Sequence, residues 1–465
     1  MAKKKTKEIK KEDFPGPRVL FYAGTSFGFR SLLIWLVFEI AQVHPVILLA
    51  DKLDPEIEKV LKDKKFFPKL EEIVQIKYPS NSLGLMIKNN KALYKTAEDV
   101  ILHYNPDIVV TGGVVYPFSL YLRRIAQRKG ALNISPFSPR IFSSKELGAW
   151  IILSSAYLKK SKLLPFPVTF YWEKLRKHIG HFLYYWILPL MVGEMPFKKE
   201  PGCILSKNLS GKSSDYYISF LKNDYDMALR EGMPAEKLYN LSKPYPEQYG
   251  KIREFLKKRF VLKNADKLKS GKKILTIMWP HSQIGIRRNN FALIPKNETK
   301  EERIRILTLI SGILKDWKIF IKPHPEAKLQ EFLEIKKIFE VISGNIEVVD
   351  RSEWADAYTE ISDAVIGFPP TSITLYTASL ICPQKPIFGL DFKKELLGDG
   401  YRNFKGVEYI DNEEKFIDIL KKIRDDRYYN NFHEKETECL GKKEFSSFIG
   451  LLEFLFNKKI KGKNI

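Results

Sequence analysis

Apolar residues in this chain gather in short unbroken runs, and longer stretches lie between them in which apolar positions recur every three or four residues. Arg18-Val-Leu-Phe-Tyr-Ala23, Val46-Ile-Leu-Leu-Ala50, Ile73-Val-Gln-Ile-Lys77 and Asp107-Ile-Val-Val-Thr111 are runs of the first kind, which predicts strands buried on both faces. An amphipathic helix starts near Phe29, and Leu83 to Tyr104 reads as a long one. The scheme returns after the Lys-rich stretch from Lys251 to Lys273, with strands at 273–279, 318–321, 346–350, 364–367 and 385–391 and a helix from Glu301 to Leu314. Strand and helix alternating at this spacing predict an α/β protein of two doubly wound halves that face a central cleft. The expected divisions are a basic tail over 1–15, a first domain over 16–250 with an aromatic and basic insertion at about 140–200, a second domain over 251–440, and a closing helix with a basic tail over 441–465.

Composition agrees with two domains, because 465 residues exceed one ordinary core and 44% of them are hydrophobic. The three cysteines, 203, 382 and 439, form no CxxC pair and leave one over, so neither a disulfide framework nor a zinc site is indicated. A reducing cytoplasm is the simpler setting. With 78 Lys and Arg against 55 acidic residues the formal charge is +23, which calls for anionic partners or reflects a Lys-rich source composition. The basic residues spread along the chain instead of forming one face with stacking aromatics, which argues against nucleic acid.

The basic opening segment is followed by no apolar stretch of the secretory kind, and no apolar run reaches the 18 or so residues a spanning helix needs. Trp150 to Phe197 interleaves Tyr157, Phe166, Tyr171, Trp172 and Trp186 with Lys159, Lys160, Arg176 and Lys177. Such a mixture suits either an interfacial helix touching an anionic membrane or a helical insertion packed on the domain.

The chemistry concentrates at strand ends. Lys322-Pro323-His324-Pro325 closes an apolar strand with a cation and an imidazole, and Gly367-Phe-Pro-Pro370-Thr371-Ser372 turns another strand into a helix whose start offers hydroxyls and free N–H groups to a phosphate. His281 and Ser282 end the first strand of the second half at the same rim, with Arg287 and Arg288 beyond. In the first half, Gly24, Thr25 and Ser26 form a loop that lacks both the dinucleotide fingerprint and the P-loop ending, and Gly112 with Gly113 permits close backbone approach. Asp51, at the end of the second strand, is either a base or a helix cap. His324 read alone would be a hydrogen-bonded loop histidine.

Three segments resemble the GT-B glycosyltransferase superfamily. Glu231-Gly-Met-Pro-Ala-Glu-Lys through Pro244 is similar to the element with which many members close their N-terminal domain. Lys322-Pro-His-Pro325 resembles the His-Pro motif of bacterial sialyltransferases, Kdo transferases of capsule assembly and glycerophosphate polymerases. Ser362-Asp-Ala-Val-Ile-Gly-Phe-Pro-Pro-Thr-Ser-Ile373, with Lys385-Pro386-Ile387, resembles their donor segment. The resemblance implies that His324 contacts the phosphate of an activated sugar, that Thr371 and Ser372 hydrogen-bond it, and that Lys322 adds charge as the phosphate–sugar bond breaks.

It further implies a Rossmann-like pair of domains and a glycosyltransferase with no cofactor beyond its CMP- or UDP-linked sugar donor. The acceptor would be a surface polysaccharide or a lipid-linked glycan, met in the cytoplasm or at the inner face of the membrane. No Asp-x-Asp triplet stands near the end of any strand read above, which favours metal-independent transfer. The Asp/Glu-Asp/Glu-Gly base element of the sialyltransferases has no counterpart before residue 200, so the base stays open. A nucleotide-sugar epimerase of the same fold, which would need more acidic residues in the cleft, and a basic nucleic-acid-binding or scaffold protein are the alternatives.

Overall fold

The computed structural model describes residues 16–23, 33–50, 53, 55–76, 83–111, 117–136, 166–196, 214–220, 222–230, 232–241, 246–264, 272–279, 296–324, 329–342, 344–367, 372–390, 392, 406–425 and 444–463. The first half runs β1 (Val19–Tyr22), α1 (Ile34–Val43), β2 (Val46–Ala50), α2 (Pro55–Leu61), β3 (Leu70–Gln75), α3 (Leu83–Tyr104), β4 (Ile108–Thr111), α4 (Pro117–Arg128), β5 (Leu132–Pro136), α5 (Phe166–Phe182), β6 (Tyr216–Ser219), α6 (Lys222–Arg230) and β7 (Leu238–Leu241). The second runs α7 (Tyr249–Asn264), β8 (Ile274–Trp279), α8 (Lys296–Ile313), β9 (Lys318–Pro323), α9 (Leu329–Ile342), β10 (Ile346–Val348), α10 (Ala355–Ile361), β11 (Ala364–Gly367), α11 (Ser372–Ile381), β12 (Ile387–Leu390), β13 (Glu408–Ile410) and α12 (Glu413–Lys422). Then β14 (Glu444–Phe445) and α13 (Phe448–Lys463) follow.

Every strand pair is parallel, and the sheets order as β14-β7-β6-β5-β4-β1-β2-β3 and β10-β9-β8-β11-β12-β13. In each, the strand order reverses beside the domain's first strand, at β1/β4 and at β8/β11. Strands β1, β2, β4 and β8 are buried at every position, as helices on both faces require. The pattern misplaced several ends: the helix expected from Glu301 starts at Lys296, and the strands expected over 346–350 and 385–391 are Ile346–Val348 and Ile387–Leu390. Strand β3 begins three residues before its apolar run because Leu70 pairs with Val46, and β9 continues through Lys322 and Pro323, which pair with Met278 and Trp279.

An acidic residue just before a strand repeatedly fixes its neighbour's start. Asp107 accepts the N–H of Arg18 at 3.0 Å, Asp215 that of Asn133 at 2.9 Å, and Asp363 that of Ile274 at 2.7 Å. Each carboxylate satisfies a donor that the ladder leaves open at the amino edge. The Ser362-Asp363 pair of the donor-like segment therefore works at that edge; Ser362 Oγ also lies 2.5 Å from Thr276 Oγ1. The Glu231–Pro244 element forms a 3-10 turn and β7, and Gly232, at φ +88°, ends α6 in a conformation a side chain would strain.

Helix α7 carries the chain between the halves and packs on α10, where Arg253 Nε meets Glu360 Oε2 at 3.2 Å. Phe255 stands edge-on to Trp35 (6.2 Å) and Phe66 (4.9 Å), and Trp35 edge-on to Trp354 (5.9 Å), so aromatics of both halves share one core. Edge-to-face pairs add roughly 0.5–1.5 kcal/mol each beyond area burial. The chain then returns: β14 extends the first sheet beside β7, and α13 packs on α1. Buried Glu39 of α1 accepts the N–H groups of Phe448 (3.0 Å) and Ile449 (3.3 Å) at the start of α13, and burial holds its carboxyl well above the usual range.

Candidate functional site

Because the strands are parallel, everything that follows β8, β9 and β11 leaves the second sheet at one edge. His324 comes directly after β9, partly buried, and Ser372 opens α11 after β11. With strands spaced about 4.8 Å apart, β9 and β11 stand roughly 10 Å apart across β8, so imidazole and helix start flank the crevice where the strand order reverses. A helix amino end carries partial positive charge and unpaired N–H groups. Such a crevice suits a phosphate.

Lys322, one residue inside the strand, is buried, and its Nζ donates to the carbonyl oxygens of Pro323 (2.6 Å) and Arg351 (3.0 Å). The ammonium thus ties the end of β9 to the loop after β10. Its field reaches Asp350 in that loop. Burial raises the Asp350 carboxyl, but bonds from the Ser352 hydroxyl (2.6 Å) and N–H (2.7 Å), with the charges of Lys322 and Arg351, leave it below the ordinary value. Lys385 of the third motif segment turns to the carbonyls of Thr359 and Glu360 and closes the end of α10. Sequence reasoning took Asp350 only as the last residue of a strand, whereas the strand ends at Val348 and Asp350 stands in the loop beyond it.

The first sheet presents a different edge. Thr111 Oγ1 and Ser135 Oγ meet at 3.1 Å across β4 and β5, and Ser219 Oγ donates to Asn240 Oδ1 at 3.0 Å across β6 and β7, all four residues buried. Among the described residues the carboxyl ends of β4 to β7 therefore carry hydroxyls and an amide, with a buried cation behind them: Ser135 Oγ also lies 2.8 Å from Ser214 Oγ, which accepts from Arg123 Nη1 at 3.1 Å. Neither Ser135 nor the Ser219–Asn240 pair was singled out from sequence, since isolated Ser and Asn carry no signal.

Several sequence candidates lie outside the described residues: Gly24, Thr25, Ser26, Asp51, Gly112, Gly113, His281, Ser282, Arg287, Arg288, Pro325, Pro370 and Thr371. Of Ser372, only its backbone place at the start of α11 is described. The strands before them are described, however. Tyr22 of β1 pairs with Thr111 of β4 and with Leu49 of β2, so these three adjacent strands end at one edge.

The two edges touch. Trp35 Nε1, in the first turn of α1, donates to Asp356 Oδ2 in the first turn of α10 at 2.9 Å, and Tyr376 OH of α11 donates to Phe220 O beyond β6 at 3.0 Å. Asp356 is buried among aromatics, and desolvation, only partly offset by the indole bond, pushes its carboxyl up to about 7. Burial likewise raises the Cys382 thiol to about 12, so it is no nucleophile at neutral pH. Among the described residues no group of three His, Cys, Asp or Glu could hold a metal ion, and no helix is long and apolar enough to cross a membrane.

Solved structures share this pairing of domains. UDP-GlcNAc 2-epimerase from Methanocaldococcus jannaschii superposes with a TM-score of 0.53 at 11% identity, covering 95% of this chain and 99% of that one. The UDP-GlcNAc 2-epimerase from Neisseria meningitidis, bound to UDP-GlcNAc, gives 0.52 at 12% identity, covering 90% and 94%. The fold is GT-B. No protein-family model matches the chain, and no curated protein matches it in sequence. At such identities the likeness extends to the GT-B architecture: two parallel sheets, joined at α7, whose carboxyl edges face one another.

Proposed function

We propose that the protein is a glycosyltransferase that binds a nucleotide-sugar donor on its second domain. One observation carries this reading: His324 stands at the carboxyl end of β9, across the switch crevice from the start of α11. Transfer from a nucleotide sugar requires the departing phosphate to be stabilised as its bond to the anomeric carbon breaks. In this reading His324 donates a hydrogen bond to that phosphate, and the Thr371–Ser372 helix start supplies N–H and hydroxyl donors. Lys322 sets the height of the rim through its carbonyl bonds. A base on the first domain, Asp51 in our assignment, takes the proton of an acceptor hydroxyl. The acceptor class we favour is a surface glycan or its lipid-linked precursor, and transfer runs without a metal in this reading.

The GT-B neighbours named as UDP-GlcNAc 2-epimerases support a second reading, inversion at C2 of a UDP-sugar. Moving a proton at a sugar carbon calls for acid and base groups on both faces of the ring. The likeness of Lys322 to Pro325 to the His-Pro motif of transferases is why transfer is preferred.

A thermal-shift series with CMP, UDP and GDP on wild type and His324→Ala tests the site. One nucleotide should raise the melting temperature, and the variant should lose most of that rise. No response to any nucleotide sinks the donor site. NMR of UDP-GlcNAc incubated without acceptor separates the two reactions, because only an epimerase changes C2 under those conditions. Activity that survives EDTA supports the metal-independent form.

A further inference from the structure

Between β5 and β6 the first domain carries a long helical run, formed by α5, a π turn over Leu183–Ile187 and a last turn over Leu188–Leu190. Its carboxyl end is fastened to the domain. Tyr185 and Leu188 are buried, Asn90 Nδ2 and Tyr121 OH donate to the Leu188 carbonyl at 2.6 and 3.2 Å, and buried Glu194 accepts from Tyr94 OH at 2.7 Å and from Arg128 Nη2 at 2.5 Å. One side of the run is treated differently. Tyr171, Trp172, Leu175, Ile179, Phe182 and Trp186 are each at least half exposed.

At 3.6 residues per turn these six side chains fall within an arc of about 100°, a continuous apolar stripe along the helix. Buried Tyr185 and Leu188 project to another side of the same wheel. Scattered exposed apolar residues are ordinary, but a stripe of large aromatic and aliphatic side chains marks an interaction surface. The segment that carries it holds Lys159, Lys160, Lys162, Lys174, Arg176 and Lys177 against the single acidic Glu173. Lys174 is exposed on the helix, as is His178, whose Nδ1 lies 2.8 Å from the Lys174 carbonyl oxygen.

Two occupants would cover an apolar stripe: a second copy and a lipid surface. A symmetric dimer lays like against like, which sets the exposed Lys174 of one copy near that of the other in a chain of net charge +23. An anionic bilayer meets the same charge with opposite sign. Indole and phenol rings settle at headgroup depth while neighbouring Lys and Arg reach the phosphates, the arrangement of a helix lying in the membrane plane. We propose that the α5 stripe seats the first domain on an anionic phospholipid bilayer. A lipid-anchored glycan acceptor would then be met on the first domain, as the proposed reaction needs, but the docking itself does not depend on that reaction.

The test is flotation of the full-length protein with phosphatidylcholine vesicles, with and without phosphatidylglycerol. The protein should float with the anionic vesicles and not the neutral ones, and the double variant Trp172→Ser/Trp186→Ser should bind roughly tenfold more weakly or less. Ile179→Lys, a single change at an exposed position, serves if the double variant does not fold. Unchanged flotation of either folded variant overturns the proposal. So does a dimer in sedimentation equilibrium that Ile179→Lys dissolves while neither vesicle binds. The nucleotide-dependent thermal shift should be the same in these variants and in wild type, so loss of docking and loss of the donor site are told apart.

Discussion

The two sheets repeat one strand order and present opposite chemistry at their carboxyl edges. The first lines β4 to β7 with Thr111, Ser135, Ser219 and Asn240, neutral groups that bond sideways to one another. The second gathers His324, Lys322, Arg351 and an ionised Asp350 around β9 and β10. Topology alone therefore does not decide which half handles an anion. A crevice arises wherever the strand order reverses, and the residues standing at the strand ends give each crevice its ligand.

The contact that joins the edges tests this contrast most strongly. Between the ordinary carboxyl value of 3.8 and about 7, folded Asp356 keeps a proton that the unfolded chain has released. Its contribution to stability is therefore full below about pH 4 and is lost as pH rises through 7, at about 1.4 kcal/mol per unit and roughly 4 kcal/mol in all. Asp356→Asn keeps an acceptor for Trp35 without the charge. Denaturation at pH 5 and pH 8 should show a much flatter pH response than wild type; equal responses would mean the edges are not held through this group.

Next comes Lys322→Met, which keeps the buried stem and removes two charge-assisted bonds to carbonyls, for a loss of about 3 kcal/mol. A fall in melting temperature identifies Lys322 as the tether of the rim. An unchanged melting temperature with a vanished nucleotide response would make it a ligand. On the neutral edge, Thr111→Val should cost about 1 kcal/mol and leave the nucleotide response intact. If that response disappears, the division between the edges fails. Far from both, Arg305→Ala should cost at most about 0.5 kcal/mol, since its bond to Glu413 lies on the surface, and high salt should erase the difference.

Much of this was legible wherever information is local in the chain. Runs such as Val46–Ala50 and Ile274–Trp279 announced buried strands, and the Lys322–Pro325 cluster announced a rim. Strand β5, Leu-Asn-Ile-Ser-Pro, escaped because its Asn133 and Ser135 are polar; Ser135 finds Thr111 across the sheet, and the Asn133 side chain reaches only the Ala131 carbonyl at 3.4 Å. The Trp35–Asp356 bond joins residues 321 positions apart, beyond the reach of any periodicity. Lys322 was legible as a cation at a strand end, but its sequence neighbours do not show that its ammonium meets the Arg351 carbonyl.

The return of the chain at β14 has a consequence for biogenesis. Strand β7 ends at Leu241 and waits for Glu444, about 200 residues later, before its outer edge is covered. At synthesis rates of roughly 5–20 residues per second, that edge stands open on the ribosome for on the order of 10–40 s. The second half can close while the first is still unfinished. An exposed parallel edge is where chains misassemble, so a nonsense change ahead of residue 444 should trouble the first sheet before the second.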